Sequence, residues 1–139
     1  MKIIGLDLGS RTLGIAISDK YELLASPVEI FRFRDDDYET AKDYVVKLAE
    51  DNQTNKVVLG YPKNMNNTIG ERATISEEFK KMLELNDLEV ILWDERLSTQ
   101  EVTKMMISAN LSRKKRKKQV DKLAATVILQ GYLDSNKAV

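Results

Sequence analysis

Acidic side chains stand at three separated places in the chain where secondary structure could bring them together. Asp7 interrupts an apolar stretch near the start, Asp94 and Glu95 end a second apolar stretch, and Asp121 precedes a third. An ionised carboxylate within a buried strand is costly unless it is paired, hydrogen-bonded or bound to a metal, so Asp7 calls for a partner. Carboxylates grouped without imidazole suit a hard cation such as Mg²⁺ or Mn²⁺, and such sites typically drive in-line attack at phosphodiesters.

Composition removes several other kinds of chemistry. The 139 residues include no histidine and no cysteine, which excludes a Ser-His-Asp triad, a thiol nucleophile and the usual zinc ligands. Apolar residues make up 42% of the chain and charged residues 32%, which is typical of a globular protein. The length predicts one domain over residues 1–139. No apolar stretch reaches membrane-spanning length and no signal peptide is recognisable, so we expect a cytoplasmic protein without a membrane partner.

The elements that must position the carboxylates follow from the spacing of apolar residues. Alternation predicts a hairpin in "IGLDLGSRTLGIAIS", and Pro27 predicts that the third strand, "ELLASPVEIFRF", lies near an edge of the sheet. Continuous apolar runs predict two further buried strands, "KVVLGYP" and "LEVILWD". Helical spacing predicts four helices, which are "DDDYETAKDYVVKLAEDNQ", "ERATISEEFKKMLELN", "STQEVTKMMISANL" and "VDKLAATVILQGYLD".

This order of elements predicts a mixed α/β sheet in which the later strands are parallel. Strand ends of the same polarity then meet at one crevice, where Asp7 and Glu95 would share a cation. Asp121 would complete the site if the last helix crossed the sheet with Ala124 and Ala125 against it. Asp94 is the competing ligand, because neighbouring strand residues point to opposite faces.

A run of six cations, predicted as a polar connection, comes just before Asp121. A solvated loop is the usual explanation for such a run, but gathered positive charge beside an acidic site favours binding of a polyanion. We therefore expect contacts with nucleic acid from the residues of this run, Arg113, Lys114, Lys115, Arg116, Lys117 and Lys118. Arg11, Lys63 and Arg72 are further candidates for phosphate contacts.

Four segments stand out as motifs, in the order "GLDLGSRTLGIAISD", "LGYPKNMNNTIGERA", "WDERLST" and "KKRKKQVDKLAA". In this order they resemble the motifs of the YqgF/RuvX family of pre-16S rRNA nucleases, which are relatives of the RuvC Holliday junction resolvases. The resemblance implies a ribonuclease H-like fold with five strands in the order 3-2-1-4-5, strand 2 being antiparallel to the rest. It also implies that the catalytic, metal-binding residues are Asp7, Glu95 and Asp121, with Arg96 and Thr99 as neighbours.

The second motif departs from the family pattern. Tyr61 and Lys63 replace aliphatic residues, and Asn66-Asn67 replaces the usual Asp-Gly turn. Asn tolerates positive φ, so the turn is expected to survive, but a role that needs an acid in this loop is not supported.

Each acidic residue also has a structural interpretation. Asp7 would cap the turn at Gly9, Asp121 would cap the last helix, and Glu95 would form an ordinary ion pair. The aromatic residues Tyr44, Phe79, Trp93 and Tyr132 are expected in the core and not as platforms for bases.

Three functions remain open on this basis. The leading hypothesis is a nuclease dependent on Mg²⁺ or Mn²⁺ that processes the 5′ end of precursor 16S rRNA, as the resemblance implies, acting as a monomer or weak homodimer. The second is a Holliday junction resolvase that cuts branched DNA. The third is a non-catalytic module that binds RNA in ribosome assembly or transcription.

Overall fold

The computed structural model describes residues 1–61, 71–94 and 113–135. Five strands and three helices lie in these segments, in the chain order β1 (Ile4–Leu8), β2 (Thr12–Ser18), β3 (Ala25–Arg32), α1 (Tyr38–Asp51), β4 (Lys56–Tyr61), α2 (Glu71–Glu84), β5 (Glu89–Asp94) and α3 (Arg113–Ser135). The helix predicted in "STQEVTKMMISANL" lies outside the described residues.

The strands form one mixed sheet with the order β3-β2-β1-β4-β5. β1 pairs antiparallel with β2 and parallel with β4, β2 pairs antiparallel with β3, and β4 pairs parallel with β5. The predicted strand order and orientation are thus confirmed. β1 is the central strand, so both of its edges are hydrogen-bonded and the side chains it carries are held on a rigid frame.

Alternation along β1 divides its side chains between the two faces of the sheet. Ile4, Leu6 and Leu8 belong to the larger core beneath α1 and α2. The smaller core lies on the opposite face, where α3 covers residues such as Ile3 and Ala16. Three layers result, with α1 and α2 on one side of the sheet and α3 on the other.

The edge strands differ from the interior. Pro27 lies in β3, which is the edge strand that the sequence predicts. β5 is the other edge strand, and only Val90 in it is fully buried. The sequence predicts a buried strand in "LEVILWD", but most of its residues are only half-buried, because a strand with a neighbour on one side only leaves much of its surface to solvent.

The last helix begins earlier than predicted. α3 starts at Arg113, so the basic run is helical and not a loop before the helix. The apolar spacing predicts a helix face of Val120, Leu123, Ala124, Val127, Ile128 and Tyr132. The buried face is instead formed by Ala125, Ile128, Leu129, Tyr132 and Leu133, while Ala124 and Val127 are only half-buried. Lys and Arg have good helix propensity, so a helix anchored by its apolar C-terminal half extends readily through them.

The expected core aromatics are confirmed. Phe79 and Tyr132 are buried, and Tyr44 and Trp93 pack against the two cores. Within the segments that the structure describes, no helix has the length and apolar character needed to cross a membrane.

Candidate active site

Asp7 is the acidic residue around which the site is built. It is the second-last residue of β1, it pairs with Gly14 of β2, and it is half-buried. Because Leu6 and Leu8 face α1 and α2, alternation along the strand directs Asp7 to the face that α3 covers.

Small residues let α3 lie close to this part of the sheet. A Cβ atom added to Gly5 would be 2.6 Å from Leu129 Cβ and 3.1 Å from the Ala125 carbonyl oxygen. One added to Gly14 would be 3.6 Å from both Ala125 Cβ and Asp7 Cβ, which is ordinary contact. The predicted packing of Ala125 against the sheet is confirmed, and glycine is needed at Gly5 because helix and strand nearly touch there.

These contacts also define where Asp121 falls. α3 runs antiparallel to β1, since Leu129 lies over Gly5 while Ala125 lies beside Gly14, the partner of Asp7. Four helical residues and two strand residues both span about 6 Å. Asp121, one turn before Ala125, therefore occupies the turn of α3 just past Asp7. At Asp121 the structure gives the helical backbone alone.

The interpretation of Asp121 as a helix cap is wrong. The residue stands eight positions after Arg113, the first residue of α3, and so belongs to the helix interior. Caps satisfy the free N–H groups of the first turn, which are out of reach from there.

Alternation along β5 shows which face of the sheet Asp94 occupies. Ile91 and Trp93 pack on the α3 face, whereas Val90 and Leu92 belong to the core on the other face. Asp94, paired with Tyr61, follows Leu92 to the face opposite Asp7. Glu95 lies outside the described residues, as do Lys63, Arg96 and Thr99.

A cavity of about 290 Å³ opens beside Asp7. It is lined by one residue of β1 and by cross-strand neighbours on β2 and β3, namely Asp7, Thr12, Gly14, Ile30 and Arg32. Sequence reasoning missed Thr12, Ile30 and Arg32 as residues of the site, because their place beside Asp7 depends on the register between β2 and β3.

That register contains a β-bulge. Ile15 pairs with Glu29 but Ala16 pairs with Pro27, so Val28 is the extra residue. Beyond the bulge, Gly14 pairs with Ile30 and Thr12 pairs with Arg32. Without the extra residue, Glu29 and Phe31 would occupy these places.

Arg11 lies in the turn between β1 and β2, at the same end of the sheet. Its Nε atom is 3.6 Å from Asp35 Oδ1, and the two side chains are 75% and 58% exposed. The turn itself is held by backbone hydrogen bonds from Phe33 N–H to the Arg11 carbonyl and from Asp36 N–H to the Ser10 carbonyl, both 2.9 Å. An ion pair this exposed contributes little, about 0–1 kcal/mol, so a phosphate would readily replace Asp35 as the partner of Arg11.

Tyr61 ends β4 and contacts α2, which begins at Glu71. Its hydroxyl donates a hydrogen bond to Glu77 Oε1. This hydrogen bond to the carboxylate, together with burial, raises the pKa of Tyr61 above its ordinary value. The hydrogen bond links β4 to α2, which precede and follow residues 62–70 in the sequence. Lys63 is one of these residues.

The remaining predicted phosphate contacts are placed only by their backbone. Arg72 lies in the first turn of α2. The basic run occupies roughly one and a half turns at the start of α3, before the turn that holds Asp121. No group of three or more acidic, His or Cys side chains that would hold a metal occurs among the described residues, which include the side chain of Asp7 alone of the three predicted ligands.

Comparison with known proteins gives a consistent assignment. Residues 1–135 match the family model described as "RuvX: Holliday junction resolvase". A protein of Shouchella clausii named "Putative pre-16S rRNA nuclease" is 49% identical over 135 residues, covering 96% of this chain and 95% of that protein. A Bacillus subtilis protein of the same name is 47% identical over 136 residues, covering 97% and 99%.

Solved structures show the same fold at low sequence identity. Thermus thermophilus RuvC in complex with a Holliday junction substrate superposes with a TM-score of 0.62 at 14% identity, covering 99% of this chain and 96% of that one. The fowlpox virus Holliday junction resolvase superposes with a TM-score of 0.53 at 16% identity, covering 97% and 99%. The ribonuclease H-like fold that the sequence predicts is thereby confirmed.

Proposed function

This chain belongs to the RuvX family, and we propose that it is a divalent-metal-dependent nuclease that hydrolyses phosphodiester bonds in structured nucleic acid. The observation that carries the proposal is the packing of Ala125 against Gly14, the β2 partner of Asp7. One turn earlier in α3, Asp121 would lie at the same end and on the same face of the sheet as Asp7 and its cavity.

The donor set fits a hard cation. Asp7 presents a half-buried carboxylate in a cavity, and the other proposed ligands, Glu95 and Asp121, are also carboxylates. Oxygen ligands without imidazole or thiolate favour Mg²⁺ or Mn²⁺ over zinc. When bound, such an ion would activate water and neutralise charge on the phosphate and the leaving oxygen. Of the two adjacent acidic residues, we assign Glu95 and not Asp94, because Asp94, the last residue of β5, follows Leu92 to the other face of the sheet.

The rest of the site binds and orients the substrate. Asp7 is rigidly placed because β1 is hydrogen-bonded on both sides, which keeps its carboxylate oriented without substrate. Arg11 stands exposed at the same end of the sheet. The basic run, Lys63, Arg72 and Arg96 would add phosphate contacts, which carry most nucleic-acid affinity and little sequence preference.

For the substrate we propose the 5′ end of precursor 16S rRNA. The support is the name of the relatives that match nearly the full chain at 47–49% identity. Such an enzyme would work in the cytoplasm, where bacterial precursor rRNA is made, and we propose that residues 1–139 act as one domain, as a monomer or weak homodimer. The family description favours a second candidate, cleavage of a four-way DNA junction.

Cleavage by the purified protein tests both candidates. Labelled RNA spanning the 5′ end of precursor 16S rRNA and a labelled four-way DNA junction are incubated separately, each with Mg²⁺, with Mn²⁺ and with chelator. We expect metal-dependent cleavage of the RNA. Cleavage of the junction alone would favour the second candidate, and binding of either without cleavage would favour a non-catalytic module.

Asp7→Asn and Asp94→Asn form a matched pair for this assay. Both keep the side-chain shape and remove one charge, but the two residues lie on opposite faces of the sheet. Asp7→Asn should lower the cleavage rate at least a hundredfold, whereas Asp94→Asn should leave most activity. An active Asp7→Asn variant would contradict the proposed site, and the reverse order of effects would show that the wrong face was chosen.

A further inference from the structure

The β-bulge in β3 puts a cation beside Asp7. Continuing the pairing of Ser18 with Ala25 without the extra residue would bring Glu29 opposite Gly14, on the face of Asp7. With Val28 inserted, Arg32 instead stands opposite Thr12 and lines the cavity of Asp7. Bulges often re-aim side chains next to active sites. Here the bulge puts Ile30 instead of Glu29 opposite Gly14, and Arg32 instead of Phe31 opposite Thr12.

The bulge also has a structural consequence on the other face. Phe31 pairs with Leu13 and packs against the core, with its ring centroid 4.1 Å from that of Tyr44. The packing of Phe31 therefore helps to hold the shifted register, and the shifted register positions Arg32.

Arg32 is available to a ligand. Its side chain is exposed, and in residues 1–61, 71–94 and 113–135 it makes no ion pair, whereas Arg11 pairs with Asp35. An unpaired arginine on a sheet edge is by itself ordinary. Its distinguishing feature is the cavity, which it shares with a half-buried carboxylate and with the Thr12 hydroxyl.

We propose that Arg32 and Thr12 form a phosphate-binding subsite on the β3 side of Asp7, which holds a phosphate next to the scissile one. A guanidinium can bind phosphate through two parallel hydrogen bonds, and the Thr12 hydroxyl is a further donor. The cavity of about 290 Å³ has ample room for one backbone phosphate.

This subsite gives the bound strand a direction across the sheet. β1 and β3 are two strand spacings apart, roughly 10 Å, so the Arg32 phosphate lies near Asp7 but is distinct from the phosphate under attack. α3 lies over β1, β2 and β3 on this face, and its basic run precedes the turn that holds Asp121. A nucleic-acid backbone bound by the basic run and by Arg32 would then have a phosphate contact on each side of the bond that Asp7 faces.

The test rests on the proposed function for the choice of RNA. The quantity measured is binding, which does not require cleavage. Arg32→Gln and Thr12→Val are made in an Asp7→Asn background, so that the labelled precursor-rRNA fragment survives. Affinity for that RNA is measured as a function of salt. Arg34→Gln is the matched control, because Arg34 is an exposed arginine two residues away that does not line the cavity.

Arg32→Gln should weaken binding about tenfold and make the slope of log K against log salt shallower by about 0.7 to 0.9. Thr12→Val should weaken it less, because a hydroxyl carries no charge. Arg34→Gln should change affinity by less than about twofold and leave the slope unchanged. The slope changes when a direct phosphate contact is lost, and not when a more distant positive charge is removed. Equal effects of Arg32→Gln and Arg34→Gln, or no effect of Arg32→Gln, would overturn the subsite.

Two further measurements separate this proposal from neighbouring explanations. If Arg32 merely balances the charge of Asp7, Arg32→Gln should change the melting temperature with Asp7 intact and leave the salt slope alone, which would also overturn the subsite. If the parent protein binds RNA without cleaving it, the nuclease proposal fails while the slopes still decide the subsite. If it binds no RNA at all, both proposals fail.

Discussion

Replacing Gly5 by alanine should displace α3 from the sheet while the rest of the fold stays in place. The added Cβ would be 2.6 Å from Leu129 Cβ, whereas carbon atoms in contact prefer about 3.5–4.0 Å. The backbone carbonyl of Ala125, 3.1 Å away, closes a second direction, and neither atom is the free end of a flexible side chain. α3 must therefore move away from β1 by about 1 Å.

Both stability and activity should respond to this displacement. Overpacking of this kind costs about 1–3 kcal/mol. For a chain of this length that cost lowers the melting temperature by roughly 4–10 °C. Since α3 carries Asp121, a shift of about 1 Å would also reduce cleavage by about a hundredfold. Gly5 does not have positive φ, so backbone strain does not contribute.

Gly14→Ala is the control for the stability effect. Its Cβ would meet Ala125 and Asp7 at 3.6 Å, which is ordinary contact, so the melting temperature should stay the same or rise slightly. Circular dichroism during heating gives the melting temperatures, and cleavage is measured well below the lower one. Unchanged stability and activity in Gly5→Ala would refute the close packing of α3 on β1, and lost stability with full activity would refute the role of Asp121.

Three further predictions concern metal, phosphate and pH. Millimolar Mg²⁺ or Mn²⁺ should raise the melting temperature, by about 2.7 kcal/mol of stabilisation at a hundredfold excess over Kd, and Asp121→Asn should blunt that rise; no response in the parent would point to structural carboxylates. Four Lys→Gln changes in the basic run should weaken binding of all RNA sequences alike and make the salt slope shallower by up to about 0.7 per lost contact; equal slopes would contradict phosphate binding by the residues changed, Lys114, Lys115, Lys117 and Lys118. Tyr61→Phe should lower the free energy of unfolding by about 1 kcal/mol at neutral pH. The pKa of Tyr61 is raised in the folded state, so its protonated hydroxyl stabilises the fold below about pH 10. This stabilisation is lost as the pH rises through the folded-state pKa. Denaturant unfolding across the alkaline range checks this last prediction, and an identical alkaline loss of stability in Tyr61→Phe would contradict it.

Local pattern determined much of the fold. Alternating apolar residues around Asp7 predicted the β1–β2 hairpin, and Pro27 predicted an edge strand. Both predictions depend on a few neighbouring residues only, and both are confirmed in the folded protein. The absence of histidine and cysteine by itself excluded imidazole and thiolate ligands, because no fold can supply a side chain that the chain lacks. The strand order itself followed from the family resemblance and not from the residues alone.

Tertiary structure decided what depends on register and packing. The packing of β5 against the two cores puts Asp94 on the face of the sheet opposite Asp7, and for that reason we propose Glu95 as the ligand. The start of α3 at Arg113 was missed because six like charges suggest a loop, whereas the apolar half of the helix, anchored on the sheet, supports its extension. Arg32 was missed because one extra residue in β3 exchanges the faces of every residue beyond it, and local sequence does not show where such a residue is inserted.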